Sequence, residues 1–361
     1  TLIVEKSSFN EIRTFYKLTS TKNAFVEPSY EENGERLFSP GINVGSNITL
    51  SVNKGMMVWS ELTYHERWGG KNYSIIRMKN EGEANPNPRK ITTRSRYFAP
   101  SLSPDNRQIV AVHVPDTLRY SIVLLSVGTG KEISRLPNPN NYFFSFPVFS
   151  PDAQSIIAIT QQGEYNWLSE INVATGELRE LTARTIWQLS YPCVTEKHIF
   201  FSSAYTGTNN IFALKRGSDS LFQVTNHALG AYFPAVSPNR KYLAYSGFSA
   251  MGYDIYEMVL KPENWQPYLP KTENKLRFFM PIVKQEGGES IISKVGKETF
   301  AVKKFHKASG LLNVHSFLPY AYPPEIGGRL LADNKFSTFS GEAESHYNIN
   351  EKTWRHGIQF N

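Results

Sequence analysis

The chain has 361 residues, 40% hydrophobic and 13% aromatic, with 39 Lys and Arg against 32 Asp and Glu for a net charge of +7. That is enough apolar residue for a large core, and the basic excess is diffuse, without the Lys/Arg cluster that a nucleic-acid footprint requires. The single cysteine, Cys193, excludes a disulfide framework and a cysteine metal site, and no apolar stretch is long enough for a membrane helix.

Taken in chain order, Leu2-Ile3-Val4-Glu5, Thr14-Phe15-Tyr16-Lys17-Leu18 and Glu35-Arg36-Leu37-Phe38 predict short strands, the later strands of a unit whose first is absent. With Thr1 in place of Met and no leader, the sequence reads as a fragment, so a missing signal peptide says nothing about compartment. Ser51 to Trp59 then overlays Ser103 to Ala111 at an offset of 52, with a longer insertion between its strands and a last strand over Pro88-Arg89-Lys90-Ile91-Thr92.

From there the chain repeats itself. Phe98-Ala99-Pro100-Ser101-Leu102-Ser103-Pro104-Asp105 returns as Ser145-Phe146-Pro147-Val148-Phe149-Ser150-Pro151-Asp152 and as Tyr232-Phe233-Pro234-Ala235-Val236-Ser237-Pro238-Asn239. A weaker copy is Leu189-Ser190-Tyr191-Pro192-Cys193-Val194. The marker prolines Pro100, Pro147, Pro192 and Pro234 are 47, 45 and 42 residues apart. Each copy runs into a buried strand: Gln108 to Val112, Ser155 to Ile159, His198 to Phe201, Lys241 to Tyr245. A second strand follows, then a glycine turn such as Gly128-Thr129-Gly130-Lys131, then a closing strand ending in Leu or Val and often Thr, as in Glu180-Leu181-Thr182 and Gln223-Val224-Thr225. A strand-rich period in the forties is the signature of a β-propeller, and the chain predicts an all-β fold of about six blades, the first truncated. Pro104, Pro151 and Pro238, with Asp105 and Asp152, are structural, the aspartates accepting backbone hydrogen bonds within turns.

The repeat occupies residues 1–260. Residues 261–310, with four prolines and the polar stretch Gln285-Glu286-Gly287-Gly288-Glu289, read as a linker with strands that help complete the last blade. The basic run Lys297 to Lys307 reads as a solvated strand edge. Phe317-Leu318-Pro319-Tyr320-Ala321-Tyr322-Pro323-Pro324 forbids helix and predicts an extended connection. Then Phe339, Gly341, Ala343, Ser345 and Tyr347 alternate with Ser340, Glu342, Glu344 and His346, Asn348-Ile349-Asn350-Glu351 turns, and Trp354, Ile358 and Phe360 alternate with Arg355, Gln359 and Asn361. Such a dyad pattern over 311–361 describes either the first strands of a transmembrane β-barrel or a soluble covering hairpin.

Catalytic patterns are missing. His65-Glu66 would need a second His where Gly69 stands, so a zinc-protease motif fails. Gly247-Phe248-Ser249-Ala250-Met251-Gly252 has one residue too many for a nucleophile elbow, and Gly128-Thr129-Gly130-Lys131 lacks phosphate-loop spacing. No cofactor or metal is expected. Glu61, His65, Arg67 and Trp68 in the insertion, with Arg96 and Tyr97 ahead of the first marker proline, are the candidate binding residues. The other reading of the first four is a salt-bridged, stacked loop.

The repeat phrases resemble the TolB-type, WD-like propeller repeat over residues 1–260. A narrower resemblance is carried by Trp59-Ser60-Glu61, His65-Glu66-Arg67-Trp68-Gly69, Ser95-Arg96-Tyr97-Phe98-Ala99-Pro100, Lys284-Gln285-Glu286-Gly287-Gly288, Leu312-Asn313-Val314-His315-Ser316-Phe317 and Leu331-Ala332-Asp333-Asn334-Lys335. These are similar to large envelope proteins of Bacteroidetes-type bacteria in which a TolB-like propeller precedes a BamA-type, surface-antigen outer-membrane barrel. The resemblance implies a non-catalytic scaffold, periplasmic and anchored to the outer membrane, that docks a protein or peptide partner and serves outer-membrane protein assembly or export. The alternatives are the gating propeller of a prolyl-oligopeptidase-like serine peptidase and a soluble TolB-like periplasmic binding protein.

Overall fold

Long runs of β-branched and aromatic residues between turns can satisfy their backbone only in sheets, and the computed structural model of the chain is built almost wholly of antiparallel strands. It describes residues 2–5, 15–17, 29–30, 36–39, 50–64, 72–80, 88–250, 252–269, 280–287, 294–296, 298–301, 310, 312–336 and 338–361. The chain divides into two compact units, Thr1–Thr63 with Tyr73–Glu273, and Tyr64–Asn72 with Asn274–Asn361.

The first unit opens with β1 (Leu2–Glu5), β2 (Phe15–Lys17), β3 (Ser29–Tyr30) and β4 (Arg36–Ser39), then β5 (Leu50–Asn53), β6 (Met56–Tyr64), β7 (Asn72–Asn80) and β8 (Arg89–Lys90). β9 (Tyr97–Leu102), β10 (Gln108–His113), β11 (Ser121–Ser126) and β12 (Glu132–Arg135) follow, then β13 (Phe143–Phe149), β14 (Ser155–Gln162), β15 (Tyr165–Asn172) and β16 (Leu178–Glu180). Next come β17 (Leu189–Val194), β18 (His198–Ser203), β19 (Asn210–Lys215) and β20 (Leu221–Gln223), and last β21 (Ala231–Val236), β22 (Tyr242–Ser249), β23 (Gly252–Val259) and β24 (Gln266–Tyr268). These make six sheets whose innermost strands β3, β5, β9, β13, β17 and β21 neighbour one another in a closed ring. The fold is a six-bladed β-propeller.

The packing explains why the repeats read as continuous apolar runs. Successive residues of a strand point to opposite faces, and here both faces are covered by a neighbouring blade. On β10, Ile109 and Ala111 pack towards Val58 and Ile76, whereas Val110 and Val112 pack towards Phe144 and Ile156. On β14, Ile156 and Ala158 face one neighbour and Ile157 and Ile159 the other. Each buried Val, Ile or Phe among them contributes about 1.5–3 kcal/mol of transfer free energy.

The closing threonines are explained too. Thr92, Thr182 and Thr225 accept the N–H of Ile76, Leu168 and Ile211 through Oγ1, at 2.9, 3.0 and 2.9 Å. Each hydroxyl takes over the ladder where the short outer strand stops.

Three expectations need correction. Phe15–Lys17 does not join the first blade: β2 pairs with β23, Tyr16 opposite Glu257, and becomes the outer strand of the last blade, while β3 takes the inner place in the first. The segment after residue 260 does not complete the last blade either. With that outer edge taken by β2, β24 pairs with β20 as a fifth strand of the preceding blade. Trp265 is buried there against His198 and Phe200, and Tyr268 Oη donates to the Tyr205 carbonyl at 3.1 Å.

The proline-rich segment read as a connection is itself a strand. The second unit contains α1 (Met280–Glu286) and one meander, β25 (Asn313–Tyr322), β26 (Glu325–Asp333), β27 (Ser340–Asn348) and β28 (Thr353–Phe360). Pro319 is tolerated because β25 is an edge strand, paired only with β26. The turn at Asn348 forms as expected, its Oδ1 accepting the N–H groups of Asn350 and Glu351, both at 3.0 Å.

The Ser-Pro-Asp turn is one hydrogen-bond device used three times. Ser103, Ser150 and Ser237 Oγ donate to Asp105, Asp152 and Asn239 Oδ1 at 2.6, 2.5 and 2.8 Å. The same hydroxyls accept the N–H of Gln108, Ser155 and Tyr242 at 2.9, 3.0 and 2.9 Å. In the weaker copy Thr195 Oγ1 plays this part, accepting from His198 N at 3.0 Å. The serine hydroxyl first, and a backbone N–H second, hold the Asp105 and Asp152 carboxyls below their ordinary value. Ser150→Ala, which strands a buried N–H, is expected to cost about 1–3 kcal/mol in guanidinium unfolding, and Asp152→Ala less. Because the folded aspartates bind protons more weakly than the unfolded ones, their contribution is complete above about pH 4 and lost as pH falls through the lowered folded value. The Asp105→Asn/Asp152→Asn variant is expected to show a shallower loss of unfolding midpoint on acidification.

Candidate functional site

The marker prolines lie on the innermost strands, and each creates a β-bulge. The register slips between Val110 and Val112 against β9, between Ser145 and Val148, between Ser190 and Cys193, and between Tyr232 and Ala235. The residue before each proline has a positive φ: Ala99 47°, Phe146 50°, Tyr191 54° and Phe233 55°. A bulky residue there is strained by about 1–3 kcal/mol, and the same strain at four equivalent places marks a built feature. The proline removes an N–H from an edge that has no further strand to pair with.

Together the bulges frame a central cavity of about 570 Å³, walled by the four proline segments and by Leu50 to Lys54 of a fifth blade. Phe146, Tyr191 and Phe233 meet inside it, Phe146–Tyr191 at 4.5 Å and Tyr191–Phe233 at 3.9 Å between ring centroids. From this cluster the wall runs to the Ser-Pro-Asp ends of the blades, where Lys54, Glu196 and Arg240 form an exposed, charged mouth and Glu196 pairs with Arg240. Asn53 ties two blades at the same rim, its Nδ2 donating to Ser103 O, Pro104 O and Asn106 Oδ1 at 3.1, 3.1 and 2.7 Å. Cys193 is in the wall, and burial pushes its thiol up to about 11. The cavity offers apolar, aromatic and proline surface with a charged rim.

The predicted binding residues fall elsewhere. Glu61 is half-exposed on β6 and pairs with Arg77 at 2.7 Å. Arg96 donates to the Val114 carbonyl and to Asp116, both at 2.7 Å, and Tyr97 packs against His113 with the rings tilted by 49° and their centroids 5.2 Å apart. Burial raises the Tyr97 hydroxyl; burial first, and the Arg135 charge second, lower His113. All three stand at the blade ends away from the Ser-Pro-Asp turns and none lines the cavity. His65, Arg67 and Trp68 lie outside the described residues. The aromatic residue before three of the four marker prolines is visible in the repeat; Lys54, Glu196 and Arg240 carry no signal beyond a turn position.

Ser249 closes the β22–β23 hairpin, paired with Gly252, its Oγ donating to the Gly252 carbonyl at 3.1 Å, which is turn chemistry rather than a nucleophile elbow. Among the described residues no group of three or more His, Cys, Asp or Glu is placed to hold a metal ion.

No protein-family model matches the chain, and no curated protein does. Among solved structures it is similar to a protein of Agrobacterium tumefaciens assigned as TolB, 16% identical, covering 68% of this chain and 81% of that one, TM-score 0.48. TolB from Acinetobacter baumannii is similar at 13% identity over 93% and 81%, TM-score 0.46. A puromycin-hydrolyzing peptidase of Mycobacterium tuberculosis is similar at 11% identity over 93% of this chain and 53% of that one, TM-score 0.42. Likenesses this distant transfer no activity, and the propeller stands on its own sheet order.

The rings and the thiol give a direct check on the cavity. At pH 8 only about one Cys193 in a thousand is thiolate, so modification by a disulfide reagent is expected to be slow. Tyr191→Gly, which removes a ring and accepts the positive φ, is expected to raise that rate roughly tenfold by admitting water and reagent.

Proposed function

We propose that this chain is a non-catalytic protein- or peptide-binding scaffold of the bacterial envelope, a periplasmic propeller tethered to an outer-membrane barrel, acting in outer-membrane protein assembly or export. The observation that carries the membrane part is the division of the C-terminal sheet into two unlike faces. The register puts Phe317, Leu330, Ala343 and Ile358 in one row across all four strands, with Pro319, Gly328, Ser345 and His356 in the next row and Ala321, Ile326, Tyr347 and Trp354 beyond it. That face carries no Lys, Arg, Asp or Glu, and Phe317, Trp354, Ile358 and Phe360 are all exposed on it. The other face holds Glu325, Arg329, Asp333, Glu342, Glu344 and Arg355, with Arg329 bonded to Glu342 at 2.7 Å, and on its edge strand the exposed Leu318, Tyr320 and Tyr322.

Strands of 10, 9, 9 and 8 residues are close to the about 9–11 that cross a bilayer when tilted. Aromatic pairs mark both ends of the apolar band, Tyr347 with Trp354 and Phe339 with Phe360. A soluble covering hairpin has no reason to expose so much apolar surface on one side. No helix among the described residues is long and apolar enough to cross a membrane.

The cavity supports the binding part. Its apolar wall and charged mouth have room for a partner segment.

Ile358→Arg is expected to cost about 2–4 kcal/mol of membrane insertion and to move the protein out of the membrane fraction, while Gln359→Arg on the other face leaves it there. A soluble wild-type product removes the barrel. A photo-cross-linker at Lys54 is expected to capture a polypeptide in cells, and one at Ile133 on the outer strand to capture none.

A further inference from the structure

We infer that the propeller rests on the bilayer surface through the blade ends opposite its Ser-Pro-Asp turns, leaving the mouth of the cavity open to the aqueous compartment. The inference rests on the membrane reading of the C-terminal sheet and adds the orientation that reading leaves open. In each of the last five blades the innermost strand runs into the turn at one end and the second strand returns from it, so the hairpin joining second and third strands lies at the other end. At that other end stand Leu62 at the tip of β6, Leu118 between β10 and β11, Tyr165 in the β14–β15 hairpin, Trp187 before β17, Leu229 before β21 and Phe248 in the β22–β23 hairpin. They are between 37% and 59% exposed. On the described strands and connections of the propeller the other large apolar side chains at least as exposed are Tyr64, at the end of β6, Ile133, on an outer strand, and Leu269, after β24.

The turn end is different in kind. It exposes ionised residues of both signs, Lys54, Asp105, Arg107, Asp152, Lys197 and Lys241, beside small or polar turn residues such as Thr129 and Asn239. A protein partner is held by a contiguous, desolvated cluster of anchors, and these tips are single side chains, each in its own connection, set apart around a ring. Leu, Tyr, Trp and Phe presented one at a time on separate loops suit the interfacial layer of a membrane, where a ring or branched chain enters and the polar backbone beside it stays wet. Arg119 beside Leu118 offers a cation to lipid phosphates at the same end, while Arg184, stacked on Trp167 at 4.2 Å, is paired with Glu180 at 2.7 Å, and Asp116 and Glu164 are exposed there too.

The test uses the whole protein with Cys193→Ser and one new cysteine at a time, Leu118→Cys, Phe248→Cys, Lys54→Cys or Ile358→Cys. Each is labelled with an environment-sensitive fluorophore and reconstituted into phosphatidylethanolamine–phosphatidylglycerol vesicles carrying spin-labelled lipid. All four positions are exposed, so folding is little disturbed. The expected result is deep quenching at 358, shallow but clear quenching at 118 and 248, and none at 54. Quenching at 358 with 118 and 248 as dark to lipid as 54 overturns the orientation and leaves the barrel standing, and it is also the outcome if a protein covers those tips. Absence of quenching at 358 overturns the membrane reading and this inference with it.

Discussion

Every central strand of the propeller is buried on both faces, and that constraint governs the rest of the unit. A blade cannot stand alone, because one of its faces would then expose a row such as Ile157 and Ile159 on β14 to water. The rows are covered only if the blades follow one another round an axis and the last meets the first. Closure therefore has to be held, and β2 holds it: a strand from the start of the chain completes the last blade by pairing with β23. The strap through Trp265 and β24 extends the neighbouring blade by the same logic, covering the edge of β20 with backbone and its flank with an indole.

Ring closure also dictates the central strands. Their inner edges converge and have no further strand of the sheet to pair with. The repeat answers this with proline and a bulge, turning the preceding side chain inward: Ala99 in one blade, Phe146, Tyr191 and Phe233 in three others. The channel is thus filled from its own wall, and what stays open is the part towards the turns, where Lys54, Glu196 and Arg240 set its charge. Architecture and candidate binding site are one piece of chemistry seen from two sides.

Much of this was legible in the sequence because it recurs. A Ser-Pro-Asp turn needs a hydroxyl, a fixed φ and a carboxylate in order, and the threonines at 92, 182 and 225 cap a ladder at one fixed place. What did not recur was misplaced. β2 has three residues and no partner within its own hairpin, so nothing local told that it pairs with a strand from the far end of the chain. β25 contains Pro319, which argues against a strand unless the strand is known to be an edge. The candidate residues Glu61, Arg96 and Tyr97 were conspicuous as charged or aromatic groups outside the repeat, and that is where they lie, satisfied by Arg77, by Val114 and Asp116, and by His113. The cavity was missed as a site because its lining is the repeat itself, which reads as scaffold.

The two units use one alternation for opposite ends. In the propeller both sides of a strand are dry, so the pattern disappears into an unbroken apolar run. In the C-terminal sheet one side takes charge pairs and the other takes none, and the pattern survives as strict alternation. The small residues on the apolar side show that it is packed in its own right: a Cβ on Gly328 would come within 2.5 Å of the Phe317 ring, and one on Gly341 within 3.2 Å of the Phe360 ring. Each glycine lets an aromatic ring from the next strand lie flat against the backbone, which pins register in a sheet that has no second layer on that side. A surface kept smooth by glycine, covered by rings and free of Lys, Arg, Asp and Glu is what the proposed membrane reading requires of this face.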